Sequence, residues 1–470
     1  MALLVVVAVG LRAPGLSAHG LYRDDAWPAL ASEVGLGRAM RIGVTTPGFE
    51  LFLRAWLSVS RAGWWAQVPA LVASTLTVIA VYVLVRRIGC GRVAALAAGG
   101  VLALSPVSVL FATRVKPYSF DALSTVVVIA TALALSRHPN SWRRWALLLL
   151  VSLGAGFFSA STLPVSVAAM AWSALLTLGQ CWRDRRARCL AVAVPAVFLA
   201  LVSVYASVVL ASVPESLHES WRTNFIFASS FDELARTTMG VLDAFVAGIL
   251  YRHGPTGPMV LLALVVGALW YRPRVASLVV APVLVAVGLA FAQRVPFGGG
   301  RIDLYLYPCV ALLVALSVQK VLDLAAGRIV SARLVEVALA LGIVGFAATG
   351  GRAHVRANPY PAADMGALYV AIEARMEPGD AVVVAPFSRY PYALYGARRP
   401  ELVFDTRYTP GFTVRSGDPD VFIMPAEFFE GGYDPDAAVR FAQRRSRVWY
   451  LATDTPASDT PAEVQANEHV

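Results

Sequence analysis

Apolar stretches close to the length of a bilayer-crossing helix recur through the first 350 residues of this chain and then stop. A hydrocarbon layer of ~30 Å takes ~20 helical residues to cross, and a backbone inside it must satisfy its own hydrogen bonds. The runs are continuous and rich in Leu, Ala and Val, where a membrane barrel would show shorter alternating strands. The spacing predicts about eleven spans, at 1–16, 66–85, 92–112, 118–135, 145–158, 162–179, 189–211, 257–271, 275–292, 303–320 and 333–350. The first is short, because Arg12 follows only eleven residues. It reads as a tilted helix ending near Leu16 or as the remainder of a span that begins upstream. It lacks the basic n-region and small-x-small cleavage site of a signal peptide. With 57% hydrophobic and 15% charged residues, the chain is far from the roughly one-quarter charged composition of soluble domains.

The basic residues orient these spans. Arg86, Arg87 and Arg92, then Arg137, Arg143 and Arg144, then Arg183, Arg185, Arg186 and Arg188 occupy alternate short turns. Arg272 and Arg274, and Lys320, Arg328 and Arg333, continue the alternation. The positive-inside rule places these turns and the N-terminus in the cytoplasm of a plasma-membrane protein. Loops 17–65 and 212–256 and everything after 350 are then outside. The formal charge of +10 is accounted for by this signal and by attraction to membrane lipids, so it calls for no nucleic-acid partner. Cys90, Cys181, Cys189 and Cys309 have neither disulfide-framework nor metal-site spacing.

The expected fold is therefore an α-helical polytopic membrane domain over 1–350, followed by a small α/β domain over 351–453. A helix is expected at the Asp24–Asp25 pair with Pro28 in its first turn, and an amphipathic one at 47–59. The stretch 212–256, with Trp221, Phe225, Phe227, Phe231 and Tyr251, reads as a second large outer loop, and its residues do not by themselves make it a lid. Beyond 350, a helix at 363–376 and strands at 381–386, 402–404, 421–425 and 448–453, with a helix at 435–444, predict a small parallel sheet. The acidic, Pro-containing tail 454–470 reads as disordered.

Three groups could carry chemistry. Asp24 and Asp25, just past the first span, either cap a helix or act as a general base, orient a nucleophile or hold a divalent cation. Arg114 and Lys116 stand in the turn Thr113-Arg114-Val115-Lys116-Pro117-Tyr118-Ser119, on the outer side, against the charge rule. They either snorkel to lipid headgroups or bind a phosphate at headgroup depth. Arg301 follows Gly298-Gly299-Gly300 ahead of Asp303, Tyr305 and Tyr307; it is an interfacial residue of a flexible turn or an anion clamp. Glu50 reads as the polar edge of its helix and His19 as an uninvolved surface residue.

In this order, these features resemble the GT-C superfamily of membrane glycosyltransferases. The likeness is to family 39, which includes protein O-mannosyltransferases and lipid A aminoarabinose transferases. Leu21-Tyr22-Arg23-Asp24-Asp25-Ala26 looks like that family's acidic motif, with Asp25 where Glu is more common. Thr46-Pro47-Gly48-Phe49-Glu50-Leu51 looks like its His-Pro-Pro-aromatic element, reduced to Thr-Pro-Gly. The Thr113–Ser119 turn looks like its Arg-x-Tyr-Ser element, and Gly300-Arg301 through Tyr307-Pro308 like its later Arg-to-Pro helix start. The resemblance covers roughly residues 1–320. It implies transfer of a sugar from a polyprenyl-phosphate donor to an extracytoplasmic acceptor, an unidentified protein, lipid or envelope glycan. Asp24 and Asp25 would supply the base, and Arg114, Lys116, Tyr118 and Arg301 would hold the donor phosphate. No cofactor is implied, a divalent cation being the one open alternative. A transporter of envelope precursors and a non-catalytic scaffold are the rival readings; spans nearly free of charge and without an internal repeat argue against the first.

Overall fold

The structure of the chain, a computed structural model, describes residues 1–16, 21, 23–34, 46–209, 221–227, 229–250, 256–325, 332–348, 365–396, 400–404, 412–424, 435–443 and 445–452. The tail 454–470, His19, the start of the helix expected at 363–376 and parts of both outer loops lie outside the described residues. Each of the eleven expected apolar runs carries a helix. In chain order these and their neighbours are α1 (Ala2–Arg12), α2 (Arg23–Glu33), α3 (Pro47–Leu57), α4 (Gly63–Arg87), α5 (Arg92–Leu104), α6 (Pro106–Leu110), α7 (Tyr118–Ser136), α8 (Trp142–Phe158) and α9 (Leu163–Gln180). There follow α10 (Arg185–Val209), α11 (Phe231–Leu250), α12 (Thr256–Tyr271), α13 (Pro273–Phe291), α14 (Tyr307–Ala325) and α15 (Ala332–Phe346). Six helical segments among the described residues are long and apolar enough to cross a membrane: α4, α7, Ala160–Gln180, Arg185–Ser207, α13 and Gly300–Ala325. Ala2–Gly15, α5 and α12 are shorter apolar helices. The chain is thus an α-helical polytopic membrane protein.

The residues cluster into two compact units. The first comprises Met1–Gly15, Pro69–Ser207 and Trp221–Asn358. In it α14 packs on α5 and α12, α9 on α13 and α7, and α7 on α8. Small residues allow this: Ala94, Ala95, Ala98 and Gly99 of α5 and Ala311 and Ala315 of α14 are buried, so backbones approach closely. Arg12, at the end of α1, is 1% exposed and fully engaged. It donates to Ser74 Oγ at 2.8 Å, to the Leu102 and Ala103 carbonyls at 2.8 and 2.9 Å, and to the Ala8 carbonyl at 3.2 Å. One buried guanidinium thus joins α1 to α4 and satisfies carbonyls in the last turn of α5.

Two expectations for this unit change. The run 92–112 is two helices, because Ser105 leaves helical geometry at φ −54°, ψ 127° ahead of Pro106. The proline ring disfavours helical dihedrals in the preceding residue. The stretch read as a loop at 212–256 contains the 20-residue helix α11. Val241, Phe245, Val246 and Ile249 bury its inner face, and it packs on α6, α12 and the 3-10 turn Gly300–Leu306.

The second unit comprises Leu16–Val68, Val208–Ser220 and Pro359–Val470, so the helices of the first outer loop cluster with the C-terminal segment. Its further elements are α16 (Met365–Glu373), β1 (Asp380–Val384), α17 (Arg389–Tyr395), β2 (Glu401–Phe404), β3 (Phe412–Arg415), β4 (Val421–Ile423), α18 (Pro435–Ala442) and β5 (Arg447–Leu451). The expected parallel sheet is present, in order β4-β1-β5, with Val382 facing Val421 and Trp449. Every residue of β1 is buried, as a central parallel strand covered on both faces should be. The strand expected at 402–404 is not in that sheet; β2 pairs antiparallel with β3 instead. Asp380 opens β1 opposite Arg447, which donates to its Oδ2 from Nε at 2.9 Å and Nη2 at 2.6 Å, with Trp449 Nε1 at 3.1 Å. The Arg447 guanidinium pulls the Asp380 carboxyl down to about 2.

Candidate active site

The acidic pair is part of a packed helix. α2 begins at Arg23, so Asp24 and Asp25 lie inside its first turn rather than in the capping position. There they meet the unsatisfied N–H groups and positive end of the helix dipole. Pro28 is the sixth helical residue, beyond the first turn where it was expected, and has no N–H to offer the Asp24 carbonyl. Ala26, Trp27, Ala29, Leu30 and Ala31 are buried, and Asp25 is 0% exposed while Asp24 is half-buried. α2 packs on α3 and on α17. The backbone N–H of Leu21, just before the acidic motif, donates to the Tyr395 hydroxyl of α17 at 2.8 Å.

The Thr-Pro-Gly element starts α3. Thr46 has extended dihedrals, φ −101° and ψ 147°, and Pro47 takes the first helical position. Glu50, expected on the polar edge, is instead 2% exposed, so α3 carries a buried carboxylate beside α2. Trp56 and Trp65 stack with ring centroids 4.2 Å apart and exchange indole-to-carbonyl hydrogen bonds of 2.8 and 3.0 Å. The Trp65 carbonyl needs this donor, because Pro69 four residues on has no N–H.

In the first unit the Thr113–Ser119 turn is tightly wound. The Lys116 N–H donates to the Arg114 carbonyl at 2.8 Å, and Ser119 Oγ to the Phe111 carbonyl at 3.3 Å. Arg114 lies half-buried with its guanidinium carbon 5.8 Å from the Phe111 ring centroid, and Phe111 meets Tyr118 edge-on at 5.6 Å. Lys116 is 9% exposed, enclosed by protein where a snorkelling lysine would be extended outward.

The glycine turn reaches the same helix. Gly298 and Gly300 have φ +81° and +64°, and a Cβ on Gly298 would lie 2.5 Å from the Val241 carbonyl oxygen. Only glycine lets the turn approach the α11 backbone so closely. The Arg301 guanidinium carbon lies over the Trp221 ring, 5.5 Å from its centroid, a cation–π contact. The Gly300–Leu306 turn then packs on α7, bringing together the helix that follows Arg114 and Lys116 and the segment that carries Arg301.

This junction contains residues the sequence reading did not single out as site residues. Asp121 of α7 is 1% exposed and Asp303 0% exposed. Ser159 stands beside the Asp121 carboxylate, and the N–H groups of Gly298 to Gly300 are the donors nearest Asp303. Asp121 Oδ1, both Asp303 oxygens and the Tyr305 hydroxyl lack a hydrogen-bond partner among the described residues. An acidic residue four places into an apolar span was the available signal. Among the described residues no three or more His, Cys, Asp or Glu side chains are grouped to hold a metal ion.

Comparison with known proteins agrees with this architecture. The family model of dolichyl-phosphate-mannose-protein mannosyltransferases matches residues 44–207. A search of curated proteins finds no match. Among solved structures, ArnT from Cupriavidus metallidurans bound to undecaprenyl phosphate is 14% identical, covers 84% of this chain and 84% of that chain, and superposes with a TM-score of 0.56. The apo state of the same protein, also 14% identical, covers 84% of this chain and 83% of that one with a TM-score of 0.45. The fold is that of the ArnT structure.

Proposed function

We propose that this chain, with its GT-C glycosyltransferase fold, moves a sugar from a polyprenyl-phosphate donor to an acceptor outside the cytoplasm. The observation that carries the reading is Lys116, a lysine enclosed by protein in a fixed turn at the head of a membrane-spanning helix. An ammonium held at that depth can donate charge-assisted hydrogen bonds to a lipid-borne phosphate, which arrives at headgroup level. Two comparisons favour such a donor: the matching family acts through dolichyl-phosphate-mannose, and ArnT was crystallised with undecaprenyl phosphate.

The reaction is a single displacement. The Asp24 carboxylate takes the proton of the acceptor hydroxyl, the freed oxygen attacks the anomeric carbon, and the bond from that carbon to the phosphate oxygen breaks. The polyprenyl phosphate leaves with one more negative charge than it carried in the donor, and the anomeric configuration inverts. Half-buried Asp24 is reachable by an acceptor, and wholly buried Asp25 is suited to orient it. Charge grows on the phosphate only as the bond breaks, so Lys116, Arg114 and Arg301 stabilise the transition state more than the bound donor. Tyr118 supports the turn through Phe111 and adds a donor. The acidic helix and the C-terminal unit then lie outside the cytoplasm.

The test is transfer from isotope-labelled polyprenyl-phosphate sugars, read as a mass shift on candidate acceptors. Lys116→Gln should lower donor use by a factor of about 10–150, the loss of one charge-assisted hydrogen bond worth ~1.5–3 kcal/mol. Parent-level turnover in that variant would remove Lys116 from the donor site.

A further inference from the structure

We propose that a cleft at the opposite end of α7 from Arg114 and Lys116 binds the phosphate of an anionic membrane lipid. It has a volume of about 180 Å³, lies where the ends of α7 and α9 meet the turn between α12 and α13, and is lined by Arg137, Arg272 and Arg274 with no carboxylate among its lining residues. α7 has 19 residues and is therefore roughly 28 Å long, about one hydrocarbon thickness, so the two ends lie at headgroup level on opposite faces.

The three guanidiniums are not equivalent. Arg272 donates to the Ile88 carbonyl just past α4 and lies 5.3 Å over the Tyr271 ring, so it is a fixed wall. Arg137 and Arg274 are exposed, and their side chains make no hydrogen bond or ion pair among the described residues. Arg144 already satisfies the Ala134 carbonyl near the end of α7, which leaves Arg137 without that role. Like charges gathered around one small space repel, and an anion with several acceptor oxygens relieves the repulsion.

The rest of the lining argues for a lipid over a soluble phosphate. Leu133 and Leu176 give the cleft an apolar side along the helices, where an acyl chain would run. Trp172, one turn deeper along α9 than Leu176, also lines the cleft, its indole N–H bonded to Ser277 Oγ at 3.0 Å, and Ser277 Oγ donates in turn to the Arg274 carbonyl at 3.0 Å. These bonds hold the turn bearing Arg274 against α9. Basic pockets between membrane helices at headgroup depth recognise anionic lipid heads by this chemistry. The site is independent of the sugar-transfer reading.

The experiment measures thermal unfolding of the full chain in neutral detergent against added phosphatidylglycerol, phosphatidylcholine or inorganic phosphate, with retained lipid counted by native mass spectrometry. Phosphatidylglycerol alone should raise the midpoint. Arg137→Gln/Arg274→Gln should weaken its apparent affinity about thirtyfold, each single variant about fivefold. The single variants carry the test if the double variant does not fold. Arg143→Gln/Arg183→Gln, which removes two exposed charges outside the cleft, should leave the affinity unchanged. The proposal is overturned if the control pair weakens binding as much, which would mean diffuse attraction. Equal effects of phosphatidylcholine or inorganic phosphate, or parent affinity in the variants, would overturn it too.

Discussion

Asp24 and Asp25 are adjacent in sequence but differ in exposure, half-buried against 0%, and that difference separates their proposed roles. Asn is nearly isosteric with Asp but cannot accept the acceptor's proton. Asp24→Asn should therefore lose ~10²–10⁴-fold in transfer rate, the usual worth of a general base, with at most ~1 kcal/mol of stability. Asp25→Asn should be the milder variant in rate and the more destabilised in thermal unfolding, since its side chain has no access to water. Near-parent transfer in both would make the pair structural. At this scale the sequence was informative where a residue broke a local rule. Adjacent carboxylates after a span and cations in an outer turn were visible in that way. Asp303 and Asp121 break no such rule that assigns them a role. Their burial follows from packing of the Gly300–Leu306 turn on α7, a contact between segments about 180 residues apart that no local pattern reports.

Glycines and prolines set the element boundaries. Gly298→Ala would bring a Cβ to within 2.5 Å of backbone at Val241 and put alanine at φ +81°. The strain should cost on the order of 1–3 kcal/mol and shift the turn bearing Arg301, lowering both the unfolding midpoint and donor use. Gly288→Ala is the control: it is inside α13 with nothing within 4 Å of the added Cβ, so it should be neutral or gain up to ~1 kcal/mol. In the sheet, Asp380 is depressed to about 2 by the Arg447 hydrogen bonds, so the folded state holds its proton less tightly than the unfolded chain. The resulting stability is present above the ordinary carboxylate range and is lost as pH falls from about 4 toward 2. Pepsin cleavage of the C-terminal segment should rise steeply over that interval in the parent chain. In Asp380→Asn it should be high throughout, with no such step. The parallel sheet was legible because β1 is a continuous apolar run; β3 was not, because four residues are too few to establish a period. α11 was read as loop because its polar first turns mask the apolar face that begins near Val241.

For the whole molecule, the pattern of basic turns carried more information than any single motif, and it specifies a side for every loop. What it could not show is that the first outer loop clusters with the C-terminal segment, since α2 meets α17 across more than 350 residues. The sidedness itself is open to direct measurement. Cys189 is exposed near the start of α10, and Ser230 is exposed just before α11; among the described residues one candidate crossing, Arg185–Ser207, separates them. With that segment as the crossing between them, the two positions are expected on opposite faces. Cys90 and Cys309 are buried, so they add little background. With the positive-inside assignment, a membrane-impermeant maleimide applied to intact cells should leave the parent chain unlabelled and modify Ser230→Cys. After permeabilisation Cys189 should react in both. If Cys189 labels from outside while Ser230→Cys adds nothing, the basic turns face outward. An extracytoplasmic acceptor would then have no access to Asp24, and the proposed reaction would lose its geometry.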